Sequence, residues 1–262
     1  MNTLKKTILI GLLFYIPLQS FAWSLLGHRV VGEIADSYLK NKTRNEIKKI
    51  LGNESVAMAS NWGDFIKSEP NYKYLDKWHY FNLPANMDQT GFYSFLKQDT
   101  STNAYSKIKF LTVELKNKSL PQDKKAMYLR LLIHIVGDIH QPMHTARKED
   151  LGGNTVKLTW FGKPANLHSV WDGDLIESQE LSYTEYAKWI NFTTDEQRII
   201  WQRQDLSQWV YDSYKLTGNI YAVTKPDDKL GYRYIYDHLH IANEQLLKGG
   251  VHLAGLLNQI FN

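Results

Sequence analysis

The chain has 262 residues, 43% of them hydrophobic, which is enough to bury a full core as one large domain and excludes a disordered chain. Its 31 Lys and Arg stand against 27 Asp and Glu, too even a balance for a protein that holds nucleic acid through a broad basic surface. With no cysteine, disulfides and thiolate metal ligands are both excluded, and any metal must be held by His, Asp, Glu or backbone groups.

In chain order, residues 1–22 read as a secretory signal. Lys5 and Lys6 form a basic end, Thr7 to Leu18 is an apolar stretch broken by Pro17, and Ser20-Phe21-Ala22 resembles a small-x-small cleavage site. The stretch is too short and too interrupted to make a good membrane span. Cleavage after Ala22 places Trp23 at the N-terminus of an exported, periplasmic or extracellular chain.

Apolar residues three and four apart predict helices over Leu25 to Leu39, Ala126 to Val136, Gln202 to Leu216 and Tyr236 to Leu257. Pro121, with Asp123 behind it, reads as the start of the second of these. Lys77 to Leu83 is extended at best, and Asn86 to Asn103 is polar enough to predict a surface loop. Val156 to Phe161 alternates before Gly162-Lys163-Pro164 and is the best strand candidate. The expected class is mainly α, a single helical domain over residues 23–262 with a minor β-hairpin. No repeat or linker divides it.

The segment Leu131 to His144 concentrates chemistry. His134 and Asp138 are four apart and share a helix face, and the Gln141-Pro142 break lets His144 leave the helix. Their apolar flanks penalise unpaired polar groups, which a divalent cation would satisfy together. His140, two residues after Asp138, is rotated by roughly 200° and reads as a supporting or structural histidine. His168 and Asp172 repeat the four-residue spacing, with Asp174 as a competing carboxylate. Asp64 in Asn-Trp-Gly-Asp-Phe-Ile-Lys and His79 in Lys-Trp-His-Tyr-Phe-Asn have aromatic neighbours that can exclude water. Singly, Asp64 reads as well as a surface acid or helix cap, and His79 as a hydrogen-bonded strand residue.

His28 begins an amphipathic helix five residues after Trp23, whose freed amine can chelate a metal beside it. Trp23 as a buried anchor and His28 as a polar helix residue is the plainer alternative. His238, His240 and His252 read as surface or packing residues. Five histidines, three aspartates and a terminal amine exceed what one zinc takes, so the count implies a cluster of two or three metals.

These motifs, with Gly-Gly-Asn at Asn154 and Asn-Leu-His-Ser-Val-Trp-Asp around His168, resemble the secreted single-strand-specific zinc nucleases of fungi, plants and bacteria, the S-one/P-one type. More distantly the chain is similar to the zinc phospholipases C, and the likeness runs through nearly the whole mature sequence in order. It implies a zinc phospholipase C/nuclease-like helical fold holding three Zn2+. One would be bound by Asp64, His79, His134 and Asp138, a second by His144, His168 and Asp172, and a third by Trp23, His28 and Asp138.

The resemblance also implies hydrolysis of single-stranded DNA and RNA to 5′-phosphate products, with 3′-nucleotidase activity, by a zinc-activated water that Asp64 orients. Lys67 and Asn154 match phosphate-contacting positions, and Tyr80 and Asn82 match a nucleobase pocket. Fungal members tend to carry an acid where Asn82 stands. Nucleotides and phospholipid head groups are the other ligands in view, with no obligate protein partner and a monomeric state. The competing readings are a zinc phospholipase C and a non-catalytic zinc-binding protein.

Overall fold

The computed structural model describes residues 23–262, and the expected signal segment lies outside them. Trp23 is fully buried and leads into α1 (Leu25–Ser37), whose Val30, Val31, Ile34 and Ala35 form the predicted apolar face. Helices α2 (Asn41–Leu51), α3 (Val56–Ala59) and α4 (Trp62–Ile66) follow. A run of 3₁₀ turns over Pro70–Trp78 then delivers the chain to His79. The extended stretch expected from Lys77 therefore begins only after His79, which is still in the helical region. Its Phe81 and Leu83 amides donate to the carbonyls of His144 and Ala146 at 2.7 and 2.8 Å, pairing it with the segment that carries His144.

Asn86 to Asn103 is not a surface loop, because α5 (Gln89–Gln98) occupies its middle. Asp88 caps that helix by accepting from the Gly91 amide at 2.7 Å. Phe92 and Leu96, four apart, are buried, with Phe92 against Tyr211 and Tyr214 at 5.0 and 5.4 Å. Two apolar residues one turn apart suffice when a neighbouring helix waits for them, and a compositional reading of the segment misses that.

Next come α6 (Ala104–Lys116), opened by an Asn103/Ser106 capping box, and α7 (Gln122–Asp138), which starts after Pro121 with Asp123 in its first turn. Every residue of α7 from Leu131 to Asp138 is buried, as expected of a helix end inside the core. Each of its large apolar side chains contributes roughly 1.5–3 kcal/mol on burial, and that offsets the cost of carrying His134 and Asp138 into the same interior.

The predicted strand forms as β1 (Lys157–Trp160), paired antiparallel with β2 (Lys163–Asn166) around Phe161-Gly162. Both turn residues have positive φ, as a two-residue hairpin loop demands. A short β3 (Lys229–Leu230) joins β1 in parallel. The chain continues through α8 (Leu167–Ser169), a π turn over Val170–Asp174 and α9 (Leu175–Glu177).

Helices α10 (Tyr183–Ile190), α11 (Asp195–Arg203), α12 (Leu206–Val223) and α13 (Tyr232–Ile260) complete the fold. The helix expected over Gln202 to Leu216 is broken, because Gln204 is extended and Asp205 opens α12. The long α13 packs on α1 and α7, so the buried end of α7 lies beneath two helices.

Candidate metal centre

Six separate stretches of chain bring their side chains to one point. The last two turns of α7 present His134 and Asp138, α1 brings His28, and α4 brings Asp64. His79 follows the 3₁₀ turns and His144 lies in the turn Pro142–Thr145. His168 and Asp172 come from α8 and the π turn behind it. All eight are 5% exposed or less. Helical spacing alone would align His168 with Asp172, but the π turn re-aims Asp172, a use to which such bulges are often put.

The geometry is that of ligands around divalent cations. His134 Nε2 and His79 Nδ1 are 3.3 and 3.1 Å from Asp138 Oδ2, and His28 Nε2 is 3.4 Å from Asp138 Oδ1. His144 Nε2 and His168 Nε2 are 3.4 and 3.1 Å from the two oxygens of Asp172. Ligands about 2.0–2.1 Å from a tetrahedral zinc stand about 3.3 Å from one another, so these separations match the edges of a zinc tetrahedron. Within 4.8 Å of one another the ligand atoms form three groups, the first two sharing His134: His28, Asp64 and His134; His79, His134 and Asp138; and His144, His168 and Asp172.

Buried atoms without partners support the fit. Both ring nitrogens of His28 and both oxygens of Asp138 and Asp64 have no hydrogen-bond donor or acceptor, although Lys67 Nζ forms an ion pair with Asp64 Oδ1 at 2.7 Å. Unsatisfied groups this deep cost roughly 1–3 kcal/mol each, more when charged, and nothing else among the described residues offsets so many at one point. The donor set, imidazole and carboxylate without thiolate, suits zinc.

The opposite ring nitrogens are anchored on backbone. Nδ1 of His134, His144 and His168 lies 2.6, 2.7 and 2.7 Å from the carbonyls of Ser60, His79 and Gly152. With Nδ1–H donating there, the Nε2 lone pair faces the centre in each ring, which is the supporting arrangement metal-binding histidines use. Gln141, wholly buried, donates its amide to Asp172 and accepts from the Met143 amide, fixing that carboxylate.

Two glycines make room. A Cβ at Gly63 would stand 2.7 Å from the His134 ring. Gly152 has φ +67°, and a Cβ there would meet the Met143 carbonyl at 2.4 Å.

Electrostatics prepares the ligands unequally. Burial lowers the pKa of His79, with the Lys67 charge adding to it. Burial also drives His134 down to about 3, so it is neutral and able to coordinate. Burial would raise Asp138 and Asp64, but the neighbouring histidines outweigh it, with Lys67 adding to the effect at Asp64, and both lie below the ordinary carboxylate range. His144 is the exception. Burial opposes its proton, yet the Asp172 and Asp138 carboxylates raise it to about 9, while Asp172 is held at about 2.

The remaining predicted residues lie around this core. Trp23 precedes His28 by a turn, and the neighbouring Ser24 amide donates to the Asp172 carbonyl at 2.6 Å. Tyr80 is 37% exposed, and Asn82 Oδ1 approaches Gly152. Asn154 is not drawn into the cluster, since its amide donates to the Leu151 carbonyl at 2.8 Å. His140 is structural: Nδ1 is 2.7 Å from the Val136 carbonyl and Nε2 2.7 Å from His252 Nδ1. His252 is thus a buried partner stacked on Trp209.

Sequence reasoning missed the carbonyls of Ser60 and Gly152, the close approach of Gly63 and the brace from Gln141. Of these, Gly63 inside an apolar helix and Gln141 beside Pro142 carried a local signal.

A family model described as S1/P1 nuclease matches residues 23–262. The chain belongs to the S1/P1 nuclease family. It is 30% identical to Endonuclease 4 of Arabidopsis thaliana, over 93% of this chain and 90% of that one. It is 28% identical to Nuclease P1 of Penicillium citrinum, over 91% and 97% of the two chains. With Nuclease S1 of Aspergillus oryzae the match is 29% over 63% of this chain and 58% of the relative. As a member of this family the protein is a nuclease acting on nucleic acid, and zinc is the metal the family implies.

Proposed function

We propose that this S1/P1 family member hydrolyses single-stranded DNA and RNA to 5′-phosphate products, removes 3′-phosphates from nucleotides, and works after export to the periplasm or beyond the cell. The observation that carries the reading is the convergence of eight buried His and Asp side chains at zinc-ligand separations. No helix among the described residues is long and apolar enough to cross a membrane.

In this reading Asp64, His79, His134 and Asp138 hold one zinc, and His144, His168 and Asp172 a second. His28 and Asp138 hold a third with the amine of Trp23 once the signal is removed. Bound zinc supplies Lewis acidity and lowers the pKa of water to roughly 7.

The chain's own groups do the rest. Asp64, ionised and in an ion pair with Lys67, accepts a hydrogen bond from the attacking water and orients it. The Lys67 ammonium neutralises charge that develops on the phosphoryl oxygens. Asn154, at the mouth of the loop that holds His168, turns its amide from the Leu151 carbonyl to a phosphate oxygen. The half-exposed ring of Tyr80 offers a face for an unpaired base, with Asn82 at the base edge, so a duplex whose bases are stacked inside is a poorer substrate.

The test is chromatography of the products from denatured and from duplex DNA, using protein that begins at Trp23, with zinc and with a chelator. Zinc-dependent release of 5′-mononucleotides, faster from the denatured strand, is expected. Equal rates on duplex and single strand would overturn the strand preference. Products that carry their phosphate at the 3′ end would overturn the cleavage polarity. Activity confined to phospholipid head groups would move the reading to a phospholipase C.

A further inference from the structure

The segment whose composition predicts a loop builds one wall of a hollow of about 530 Å³. Tyr93 and Lys97 of α5 face Tyr105, Ser106 and Lys109 of α6, and Ser207 of α12 closes the end. Two exposed lysines from different helices thus line one cavity with serine and tyrosine hydroxyls. The one acid among the lining residues, Asp99, is already engaged, accepting from Asn103 Nδ2 at 2.7 Å and from the Ser101 hydroxyl at 3.0 Å.

Tyr105 shows what the cavity can recognise. One face of its ring stacks on Phe81, 6.3 Å away and 13° from parallel, and the Lys109 ammonium lies 5.3 Å from its centroid. The ring is thereby occupied, and the Tyr93 and Ser106 hydroxyls donate to Gln208 Oε1 and to the Asn103 carbonyl at 2.8 and 3.0 Å, so the hollow offers an anion the charge of Lys97 and Lys109 and offers a base no open stacking face from Tyr105.

Its position ties it to the metal centre. The Phe81 amide donates to the His144 carbonyl at 2.7 Å, and the Ala104 amide donates to the Tyr80 carbonyl at 3.0 Å. The segment Tyr80–Asn82, at which a base is expected, is therefore the partition between the metal ligands and this cavity.

We infer that the hollow is a phosphate subsite for the substrate strand, holding backbone phosphates of nucleotides beyond the one at the metal centre through Lys97 and Lys109. This rests on the single-strand reading above. The chain's nearly balanced charge makes local sites of this kind the means by which it holds a polyanion. Lysine, a mobile point charge, suits phosphates that must slide after each cut.

The experiment compares the zinc-loaded wild type with K97E/K109E and K97A/K109A on a long oligothymidylate and on a thymidine dinucleotide. Both lysines are exposed, so the variants are expected to fold. For the reversed pair, KM for the long strand should rise several-fold while kcat and KM for the dinucleotide stay unchanged. For the alanine pair, the slope of log KM against log salt on the long strand should fall by about 1.4, at roughly 0.7 per phosphate neutralised. An unchanged KM on the long strand, or an equal rise on the dinucleotide, overturns the subsite. If the wild type itself cleaves neither substrate, the single-strand reading falls on that result alone and the subsite with it.

Discussion

Loading the stripped protein with zinc should release about one proton from His144, and the pH at which this happens follows from its surroundings. In the metal-free chain the carboxylates of Asp172 and Asp138 hold His144 at about 9, so at pH 7.5 it is almost fully protonated. Coordination through Nε2 requires the neutral ring, because Nδ1–H is committed to the His79 carbonyl. His79, His134 and the three carboxylates contribute little. His79 and His134 are already neutral, and Asp64, Asp138 and Asp172 are already ionised. A chain extended by residues before Trp23, whose amine cannot chelate, should therefore release about one proton from His144 at pH 7.5, beside the proton that zinc-bound water with a pKa of roughly 7 gives up. At pH 10 the His144 share falls to about a tenth of a proton by the same titration, while the share from water stays. Calorimetric zinc titrations in two buffers of different ionisation enthalpy count the protons directly. A proton count that does not fall between pH 7.5 and pH 10 would refute the assignment of His144 as the protonated ligand.

The same titrations on a chain starting at Trp23 should reveal one further zinc, with additional protons at pH 7.5 because an α-amine titrates near 7.7–8.0; metal analysis showing equal zinc in both chains would remove Trp23 from the site. In the stripped protein, folding stability should peak near pH 7, where the protons held by the unfolded histidines fall to the one that folded His144 holds. Above that, the native state holds the His144 proton that the unfolded chain has lost, so stability falls as pH rises through about 9. Below it, the unfolded chain protonates His79, His134, His140 and His252, which are held below their ordinary range when folded, so stability falls again. Thermal melts across pH with a chelator present check both limbs. Gly63→Ala sets a methyl 2.7 Å from the His134 ring and should cost about 1–3 kcal/mol of stability and lower zinc content, measured by denaturation and metal analysis. Lys67→Met should keep its zinc and lose about 10²–10³ in kcat; a loss confined to KM would make Lys67 a binding residue only.

His134 and Asp138 show how much of the site the sequence by itself determined. Four residues apart in a run of Leu, Ile and Val, they share a face of a helix that must be buried, and the penalty on lone polar groups there implies a cation before any coordinates are known. The Pro142 break, the hairpin around Phe161-Gly162 and the helices at both ends of the chain are legible for the same reason, since periodicity and turn chemistry are local. Which distant residues meet is not local. Only the packing of α1 and α4 against α7 seats His28 and Asp64 beside His134, and only the carbonyls of Ser60, His79 and Gly152 decide which ring nitrogen faces the centre. The α5 helix went unseen because its stability comes from Phe92 against α12. The hollow it walls exists only in the tertiary structure, where Lys97 of α5 and Lys109 of α6 come to line one cavity.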